Sequence, residues 1–324
     1  MNAARLRTFG LLLLAALLLA LPALIRVPYF LQLVILALIW VVVAQGQNLI
    51  QGFTGYVSIA QAGFMGIGAY TSTLLSLKAG WPVGLTMLLA PCFTAVLALF
   101  VGYPSLRVKG HYFAIVTLAY NMVIFIVLLT WSKLTGGEAG LSNVPRPADV
   151  VLGPVTWALS GRAGYYYLVL LAAAGATLFC TLVLRSRVGR VLVALRQNEA
   201  LVEAVGVAGW RYKLFAFVAS ASLAGLAGAL YAHFIGFLNP DPFGVDHSLN
   251  AILAVILGGS GTLSGPVVGA FVVVFLPEYL RVAETYRLVT YGLILVVATI
   301  FMPRGLVPLL AQGFKALAVR WRRT

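Results

Sequence analysis

The stretch TGYVSIAQAGFMGIGAY, residues 54–70, has an unexpected composition for a segment that crosses a membrane. It lies within an uncharged run that extends from Val27 to Leu77. Four of its residues are glycine, and Ser58 and Gln61 add polar groups, whereas a helix that only contacts lipid is rich in Leu, Ile and Val. Backbone that is irregular at membrane depth needs protein or water to satisfy its polar groups, so we expect this stretch to face away from lipid.

The rest of the chain predicts an all-α polytopic membrane protein. Of its 324 residues, 62% are hydrophobic and 9% are charged, against roughly 25% charged in soluble domains. A bilayer core requires about 20 apolar residues per helix, and the weak alternation of a membrane β-barrel is absent. We predict one transmembrane domain over residues 1–324 with about ten segments (eight to ten) in two related halves. The predicted segments lie near 9–25, 29–49, 54–77, 83–102, 112–131, 165–184, 214–236, 248–262, 264–280 and 288–302.

The basic residues orient these segments and account for the net charge of +14 without a nucleic-acid partner. With the N terminus inside, 15 of the 22 Lys and Arg residues lie on the inner side, as the positive-inside rule predicts. We therefore expect both termini in the cytoplasm, with a cytoplasmic loop at 185–213 and a basic tail at 304–324. The first 25 residues resemble a signal peptide, but no convincing cleavage site follows, so we predict a retained first helix.

A second irregular stretch, ILGGSGTLSGPVVGAF, occupies residues 256–271. It lies between Asp246 and Glu278, which enclose 31 uncharged residues. This length is too short for two full spans and too long for one. A single span would also place the basic tail outside, against the charge rule, so we predict a broken hairpin.

These two stretches are the candidate solute pathway, one in each half of the chain, because paired glycine-interrupted segments indicate a transporter site between repeats. The alternative is close helix packing, since small residues let membrane helices approach. Packing is the main interpretation for residues 214–236, while both interpretations stay open for 54–70. Asn121, inside an apolar span, either bonds a neighbouring helix or contacts the pathway. The candidate pathway residues are Ser58, Gln61, Gly66, Tyr70, Asn121, Gly258, Gly259 and Thr262.

The sequence contains no motif for catalysis, cofactor binding or metal binding. A phosphate-binding P-loop requires Gly-Lys, which occurs nowhere, so ATP hydrolysis by that route must come from another subunit. His111, His233 and His247 lack the local spacing of metal ligands, and we interpret them as structural. We therefore expect a transport protein without a cofactor, not an enzyme.

The largest inner loop, RSRVGRVLVALRQNEALVEAVGVAGWRYK, has the features of a docking surface. Asn198 is suited to cap a short helix, Glu199 complements the helix dipole in the first turn, and Gly206 ends the helix. Ala200, Leu201, Ala204 and Val205 form an apolar stripe on it. The alternative is a helix that lies on anionic lipid, which the two glutamates of the loop disfavour.

Five stretches between about residues 50 and 275 carry a family resemblance: GYVSIAQAGFMGIGAYTSTLL, PSLRVKGHYFAIVTLAY, LTGGEAGLSNVPRP, and the inner loop and second irregular stretch with their flanking residues. In this order they resemble the permease subunits of ABC importers for branched-chain amino acids, namely the M-type partner of the two membrane subunits. The resemblance implies a heterodimer with a second homologous permease. It also implies two ABC ATPase subunits below and a soluble substrate-binding protein above.

The same resemblance implies that the helix around 193–206 is the coupling helix of the permease. The candidate coupling residues are Arg196, Glu199, Glu203 and Gly206. Gly206 comes one residue later than the family's pattern, which leaves open which of the two glutamates is important. The family pattern also leads us to expect acidic residues at two places where this chain has His111 and Asn121.

The predicted function is that of a permease subunit of a binding-protein-dependent importer in the bacterial cytoplasmic (inner) membrane. Leucine, isoleucine and valine are the expected solutes, and urea, short amides or other amino acids are the alternatives. The outer segments 133–164 and 236–247 are expected to receive the binding protein. An ion-coupled secondary transporter is disfavoured because no predicted span centre contains Asp or Glu. A membrane-embedded enzyme is disfavoured by the lack of paired titratable groups.

Overall fold

The computed structural model describes residues 17–24, 27–108, 110–152, 155–157, 159, 161–280, 292, 296 and 305–309. The predicted segment at 288–302, most of the segment at 9–25 and most of the tail at 304–324 fall outside these residues. Residues 17–24 are helical.

Long apolar helices dominate the described part of the chain. Five of them are long and apolar enough to cross a membrane, and two shorter apolar helices follow near the C-terminal end. The helices are α1 Pro28–Gln47, α2 Gln61–Leu77, α3 Val83–Ser105, α4 His111–Thr130, α5 Ser132–Thr135, α6 Arg162–Arg185, α7 Arg187–Gln197, α8 Glu199–Ala204, α9 Gly209–Ile235, α10 Val245–Gly258 and α11 Gly265–Tyr279. A π-helical turn at Asn48–Gly52 continues α1, and 3₁₀ turns lie at Gly137–Ala139 and Asp241–Phe243. The predicted polytopic helical class is confirmed.

One small element was not predicted, namely a β-hairpin in the connection between α4 and α6. Strand β1, Val150–Leu152, pairs antiparallel with β2, Val155–Trp157. These short strands lie in the long connection between α4 and α6, where the sequence has no periodic apolar pattern that predicts a strand.

The first irregular stretch is broken at its beginning. The segment predicted at 54–77 becomes helical only at Gln61, and residues 55–60 are not helical. Gly55 has a φ of +80°, a conformation that L side chains rarely adopt. We refer to residues 53–60 as the entry segment. Its composition therefore indicated correctly that it is not a plain membrane helix.

The second irregular stretch forms the predicted broken hairpin. Helices α10 and α11 have 14 and 15 residues. At 1.5 Å per residue each is about 22 Å long, shorter than a hydrocarbon core of about 30 Å. The turn between them contains Gly259 with φ +125° and Gly261 with φ +78°. We refer to residues 259–264 as the hairpin turn.

Helix α9 lies at the centre of the bundle, where glycines let it approach its neighbours closely. Gly225 packs against the backbone of Gly68 in α2 and against Thr94 in α3. Gly228 lies directly against the backbone of Met65 in α2. Close helix packing, the main interpretation for residues 214–236, is what the structure has.

Candidate functional site

The hairpin turn of the second irregular stretch contacts the segment just before the first one, at a place that we call the junction: residues 45–52 of α1 and its π-helical turn, and the hairpin turn. The side-chain oxygen of Asn48 accepts from the backbone N–H of Gly261 at 2.9 Å, and its Nδ2 donates to the carbonyl of Thr262 at 2.8 Å. Gln45 donates to the carbonyl of Leu263 at 2.9 Å. Amides of α1 thus satisfy the backbone of a turn that is more than 200 residues away along the chain.

Gly52 makes this junction possible. A Cβ at residue 52 would overlap the Asn48 side chain and lie 2.7 Å from the backbone nitrogen of Gly261. Because residue 52 is glycine, the Asn48 side chain in this π-helical turn can reach the backbone of the hairpin turn. Single π-helical turns often occur at functional positions of membrane and soluble helices.

The hairpin turn is held from within by one of the predicted pathway residues. Thr262 Oγ1 donates to the carbonyl of Gly259 at 2.7 Å and accepts from the N–H of Gly265 at 3.0 Å. Gly258 lies against the backbone of Gly265, so a side chain there would meet a carbonyl. Gly258, Gly259 and Thr262 therefore determine how α10 turns back into α11.

Side chains of other helices satisfy the backbone at the start of α2. Thr117 accepts from the N–H of Ile59 at 3.0 Å, and Ser248 accepts from the N–H of Ala62 at 2.8 Å. Asn121 Oδ1 accepts from the N–H of Gly63 at 2.6 Å. The first turn of a helix leaves its N–H groups unpaired, and α2 has no capping side chain of its own. Helices α4 and α10 supply that cap across the bundle.

The predicted pathway residues of α2 and α4 lie inside the protein. Ser58, Gln61, Tyr70 and Asn121 are each no more than 3% exposed. Gln61 donates to Ser220 of α9 at 2.8 Å, and Asn121 makes the interhelical bond described above. The hydrogen bond that was one interpretation of Asn121 is therefore present.

One face of α2 carries the predicted residues Gly66 and Tyr70, and two unsatisfied polar groups lie at this face, one on α2 and one on α4. Gly63, Gly66 and Tyr70 follow helical spacing, and a Cβ at Gly66 would lie 2.9 Å from both Leu128 and Phe243. Among the described residues, Tyr70 Oη and Asn121 Nδ2 are buried without a hydrogen-bond partner. Buried polar groups are normally paired, so these two atoms have unused hydrogen-bonding capacity.

The inner loop forms two helices where the resemblance led us to expect one around 193–206. The break falls at Asn198, whose φ of −159° and ψ of 102° are extended. Its side chain accepts from the N–H of Leu201 at 3.1 Å, so it caps α8 as predicted. Gly206 has a φ of +83° and follows the end of α8. Capping favoured a new helix start over continuation of α7, because Asn in extended conformation satisfies the first turn of α8.

One side of α8 is apolar and exposed to solvent. Leu201 is 63% exposed and Val205 is 71% exposed, and Ala200 and Ala204 are exposed beside them. We call these four residues the α8 face. It is an apolar patch on a charged loop, as expected for a surface that binds another protein.

The two glutamates of α8 have different surroundings. Glu199 Oε1 lies 2.7 Å from Lys213 Nζ, and Glu199 Oε2 accepts from Tyr56 Oη at 2.7 Å. Glu203 is on the exposed side of the helix. Glu199 is therefore partly buried against the bundle, whereas Glu203, one helical turn later, is exposed.

Arg196, at the end of α7, contacts the junction. Its Nη1 donates to the carbonyl of Gly52 and lies beside Gly261. With Glu199 bonded to Tyr56, the loop helices contact the entry segment, the π-helical turn and the hairpin turn together. The predicted coupling residues Arg196 and Glu199 are therefore close to the predicted pathway stretches.

Several residues of this site were missed by sequence reasoning. Gln45, Gln47 and Asn48 belong to the motif QGQNLIQG at 45–52, where four amide side chains occur within seven residues of an uncharged region. Gln47 donates to the carbonyl of Ser58 at 3.0 Å. Such a cluster of amides at membrane depth was a usable signal. Thr117 and Ser248 gave none, because isolated hydroxyls are common in membrane helices.

The histidine near the C-terminal end of α9 is held by two contacts inside the protein. His233 is buried, with its ring nitrogens 2.6 Å from the carbonyl oxygen of Pro145 and 2.8 Å from Ser72 Oγ. Within the described ranges, no group of three His, Cys, Asp or Glu side chains has the arrangement of a metal site.

Comparison with known proteins gives consistent matches over most of the chain. Residues 29–298 match the family model described as "Branched-chain amino acid transport system / permease component". The permease protein LivM of a high-affinity branched-chain amino acid transport system in Salmonella typhimurium is 32% identical over 298 residues, which is 86% of this chain and 70% of LivM. LivH of Escherichia coli is 25% identical over 86% of this chain and 95% of LivH. The autoinducer 2 import permease LsrC of Klebsiella pneumoniae is 32% identical over 50% of this chain and 45% of LsrC. No solved structure matches.

Proposed function

This chain belongs to the permease family of branched-chain amino acid transport systems, and from that membership we propose that it forms half of the membrane channel of an ATP-driven importer. Leucine, isoleucine and valine are the proposed solutes. The chain is a transport subunit rather than an enzyme, and ATP is hydrolysed by partner subunits. The second half of the channel is a homologous permease.

The observation that carries this proposal is the position of α8. Its exposed apolar face, Ala200, Leu201, Ala204 and Val205, is suited to bind an ATPase subunit. The opposite side of the same helix is bonded to the entry segment through Glu199. A movement of the bound ATPase would therefore also move the entry segment, as expected of an element that switches between two conformations.

The solute route is proposed to run along the α2 face and the junction. In the present conformation this region is closed, since Ser58, Gln61 and Asn121 are buried. Displacement of the entry segment would separate Asn121 from the start of α2 and expose its amide together with Tyr70 Oη. Because Gly66 has no side chain, this face of α2 packs closely against Leu128 and Phe243.

The remaining partners follow from the family and the charge distribution. The domain is proposed to extend over residues 1–324, with the inner loop at 185–213 and the tail at 304–324 in the cytoplasm. The outer segments 133–164 and 236–247 would bind the loaded substrate-binding protein. The bacterial inner membrane is the proposed location, with both termini in the cytoplasm.

Reconstituted uptake tests the proposal. The chain, the second permease and the ATPases of the same genome would be placed in proteoliposomes with the binding protein, and uptake of labelled leucine measured with and without ATP. We expect ATP-dependent uptake that excess isoleucine or valine inhibits. Inhibition by urea or a short amide instead would identify a different solute for the same kind of importer. The partial match to LsrC, named as an autoinducer 2 import permease, is a reason to test other solutes.

A paired variant tests the role of the α8 face. Leu201→Asp combined with Val205→Asp places two carboxylates in an apolar interface, which costs enough to reduce ATPase stimulation and uptake more than about tenfold. Leu201→Met combined with Val205→Ile, which keeps the α8 face apolar, is the matched control and should retain both activities. Equal behaviour of the two proteins would remove α8 from the ATPase interface.

A further inference from the structure

Tyr56, Glu199 and Lys213 form a cluster that joins the loop helices to the entry segment. We propose that this cluster is the mechanical link between ATPase-driven movement of α8 and opening of the entry segment, with Tyr56 and Lys213 as positioning residues of the transport cycle. The inference rests on the proposed function and assigns the residues that transmit it. Neither Tyr56 nor Lys213 was a candidate from the sequence.

The cluster is closed by four contacts among three side chains. Lys213 Nζ donates to Glu199 Oε1 at 2.7 Å and to Tyr56 Oη at 3.1 Å. Tyr56 Oη donates to Glu199 Oε2 at 2.7 Å, and Lys213 Nζ lies 4.5 Å from the centre of the Tyr56 ring. The three residues belong to three elements: the entry segment, the start of α8 and the start of α9.

Burial makes this cluster resistant to separation. Lys213 is 2% exposed and Glu199 is 18% exposed, so pulling them apart would leave a buried ammonium without its counter-charge. Hydrogen bonds to ionised groups are also stronger than those between neutral groups. When α8 moves, breaking the cluster is therefore more costly than moving Tyr56 with it. The entry segment follows the loop helix as one unit.

Aromatic contacts continue from the cluster into the bundle. The ring of Tyr56 packs edge-on against Phe113 at 5.3 Å between centroids, and Phe113 packs against Phe217 at 5.8 Å. Phe217 packs against Phe64 of α2 at 5.5 Å. A displacement of Tyr56 thus reaches α4, α9 and the first turn of α2, where the Asn121 cap lies.

The role of the Tyr56–Glu199–Lys213 cluster differs from that of Glu203, because Glu199 is largely buried and Glu203 is exposed. Glu203 follows Glu199 by one helical turn on α8 but is exposed, where a bound protein can reach it. Loss of an ATPase contact lowers hydrolysis and uptake together. Loss of an internal link lowers uptake for each ATP hydrolysed, because the motor still runs while the entry segment no longer follows it. A residue with only a structural role would not change the amount of solute imported per ATP hydrolysed.

Two variants test the link in proteoliposomes containing the whole complex. Tyr56→Phe keeps the ring and removes the hydroxyl bonds. Glu199→Gln combined with Lys213→Met removes both charges, which protects the fold from an unpaired buried charge. Tyr103→Phe, an exposed tyrosine near the loop that packs against Trp210, is the matched control.

We expect both cluster variants to assemble, to retain ATPase activity within about twofold, and to lose at least about threefold in solute imported per ATP, as the loss of charge-assisted bonds implies. The control should match the wild type. An unchanged ratio, or a parallel loss of hydrolysis and uptake, would overturn the inference. A wild-type complex without ATP-driven uptake would instead overturn the proposed function, so the two failures are distinguishable.

Discussion

The two glycine-rich stretches have the same kind of composition but different construction. In residues 54–70, Gly66 faces the side chains of Leu128 and Phe243, whereas Gly68 packs on the backbone of Gly225 in α9. In residues 256–271, glycines face backbone, because Gly258 packs on Gly265 and Gly269 packs on Ala254. The second stretch is therefore packed on its own backbone, whereas the first packs on side chains and backbone of other elements.

Their hydrogen bonds differ in the same way. The entry segment and the start of α2 depend on single side chains from other helices, including Thr117, Asn121 and Ser248. The hairpin turn holds itself through Thr262 and is then clamped by Asn48. Glycine at membrane depth thus has two uses: it leaves room for movement in one place and forces tight backbone packing in another. We infer that the first stretch moves relative to the second.

The largest expected effect separates the two uses of glycine. Gly258→Ala directs a methyl group at the carbonyl of Gly265, which backbone cannot avoid, and should destabilise the protein by about 3 kcal/mol or more. Gly66→Ala meets a methyl group of Leu128 and the Cγ and Cβ of Phe243, which can shift with their side chains, and should cost less, about 1–2 kcal/mol. Thermal midpoints of the purified complexes measure both.

Gly175→Ala is the control for this pair, because nothing lies within 4 Å of its Cβ position in α6. It should be neutral or slightly stabilising, since alanine is the better helix former. If Gly258→Ala and Gly66→Ala were equally stable, the distinction between backbone-lined and side-chain-lined glycines would be wrong.

An intermediate effect is expected at the two clamping amides. Asn121→Ala leaves the N–H of Gly63 unpaired inside the bundle and should lower the free energy of unfolding by about 1–3 kcal/mol. Asn48→Ala should cost less, because Thr262 still holds the hairpin turn and the site is only part-buried. Denaturation midpoints give the comparison. Met122→Ala, on the exposed side of α4, serves as control, and a larger loss at Asn48 would reverse the assignment of the fragile stretch.

The smallest effect concerns access from water. In a protein whose Cys92 and Cys180 have been replaced, Ser58→Cys should be inert to a hydrophilic thiol reagent at rest, because residue 58 is 1% exposed. During ATP turnover its labelling rate should increase about threefold or more, as the entry segment opens. Thr262→Cys, which is part-exposed, should change less. Residue 58 staying inert throughout turnover would mean that the entry segment does not line a watery route.

Sequence reasoning predicted the features that depend on local composition. The charge-free runs predicted helices, the length of the run between Asp246 and Glu278 together with the charge rule predicted the broken hairpin, and Asn198 predicted the start of α8. The start of α2 was placed too early because glycine lowers helix propensity without specifying where the helix resumes. That position is determined by Ser248 and Asn121, which are distant in sequence.

The candidate site was predictable in part. The stretches and the loop were identified, but the inward direction of Glu199 was not, because α8 is too short for its periodicity to decide which side is buried. Lys213 was counted among the basic residues of the inner surface, yet it is buried beside Glu199. A charge count treats every Lys as exposed, and only the fold shows which one is paired. The roles of the pathway and coupling residues stay predictions.

The cap of α2 has a consequence for how the chain is made. Ala62 leaves the ribosome 186 residues before Ser248, which accepts its N–H in the finished protein. Until α10 is synthesised, the first turn of α2 lacks that acceptor. The cap of α2 is therefore completed only late in translation, by a helix of the hairpin.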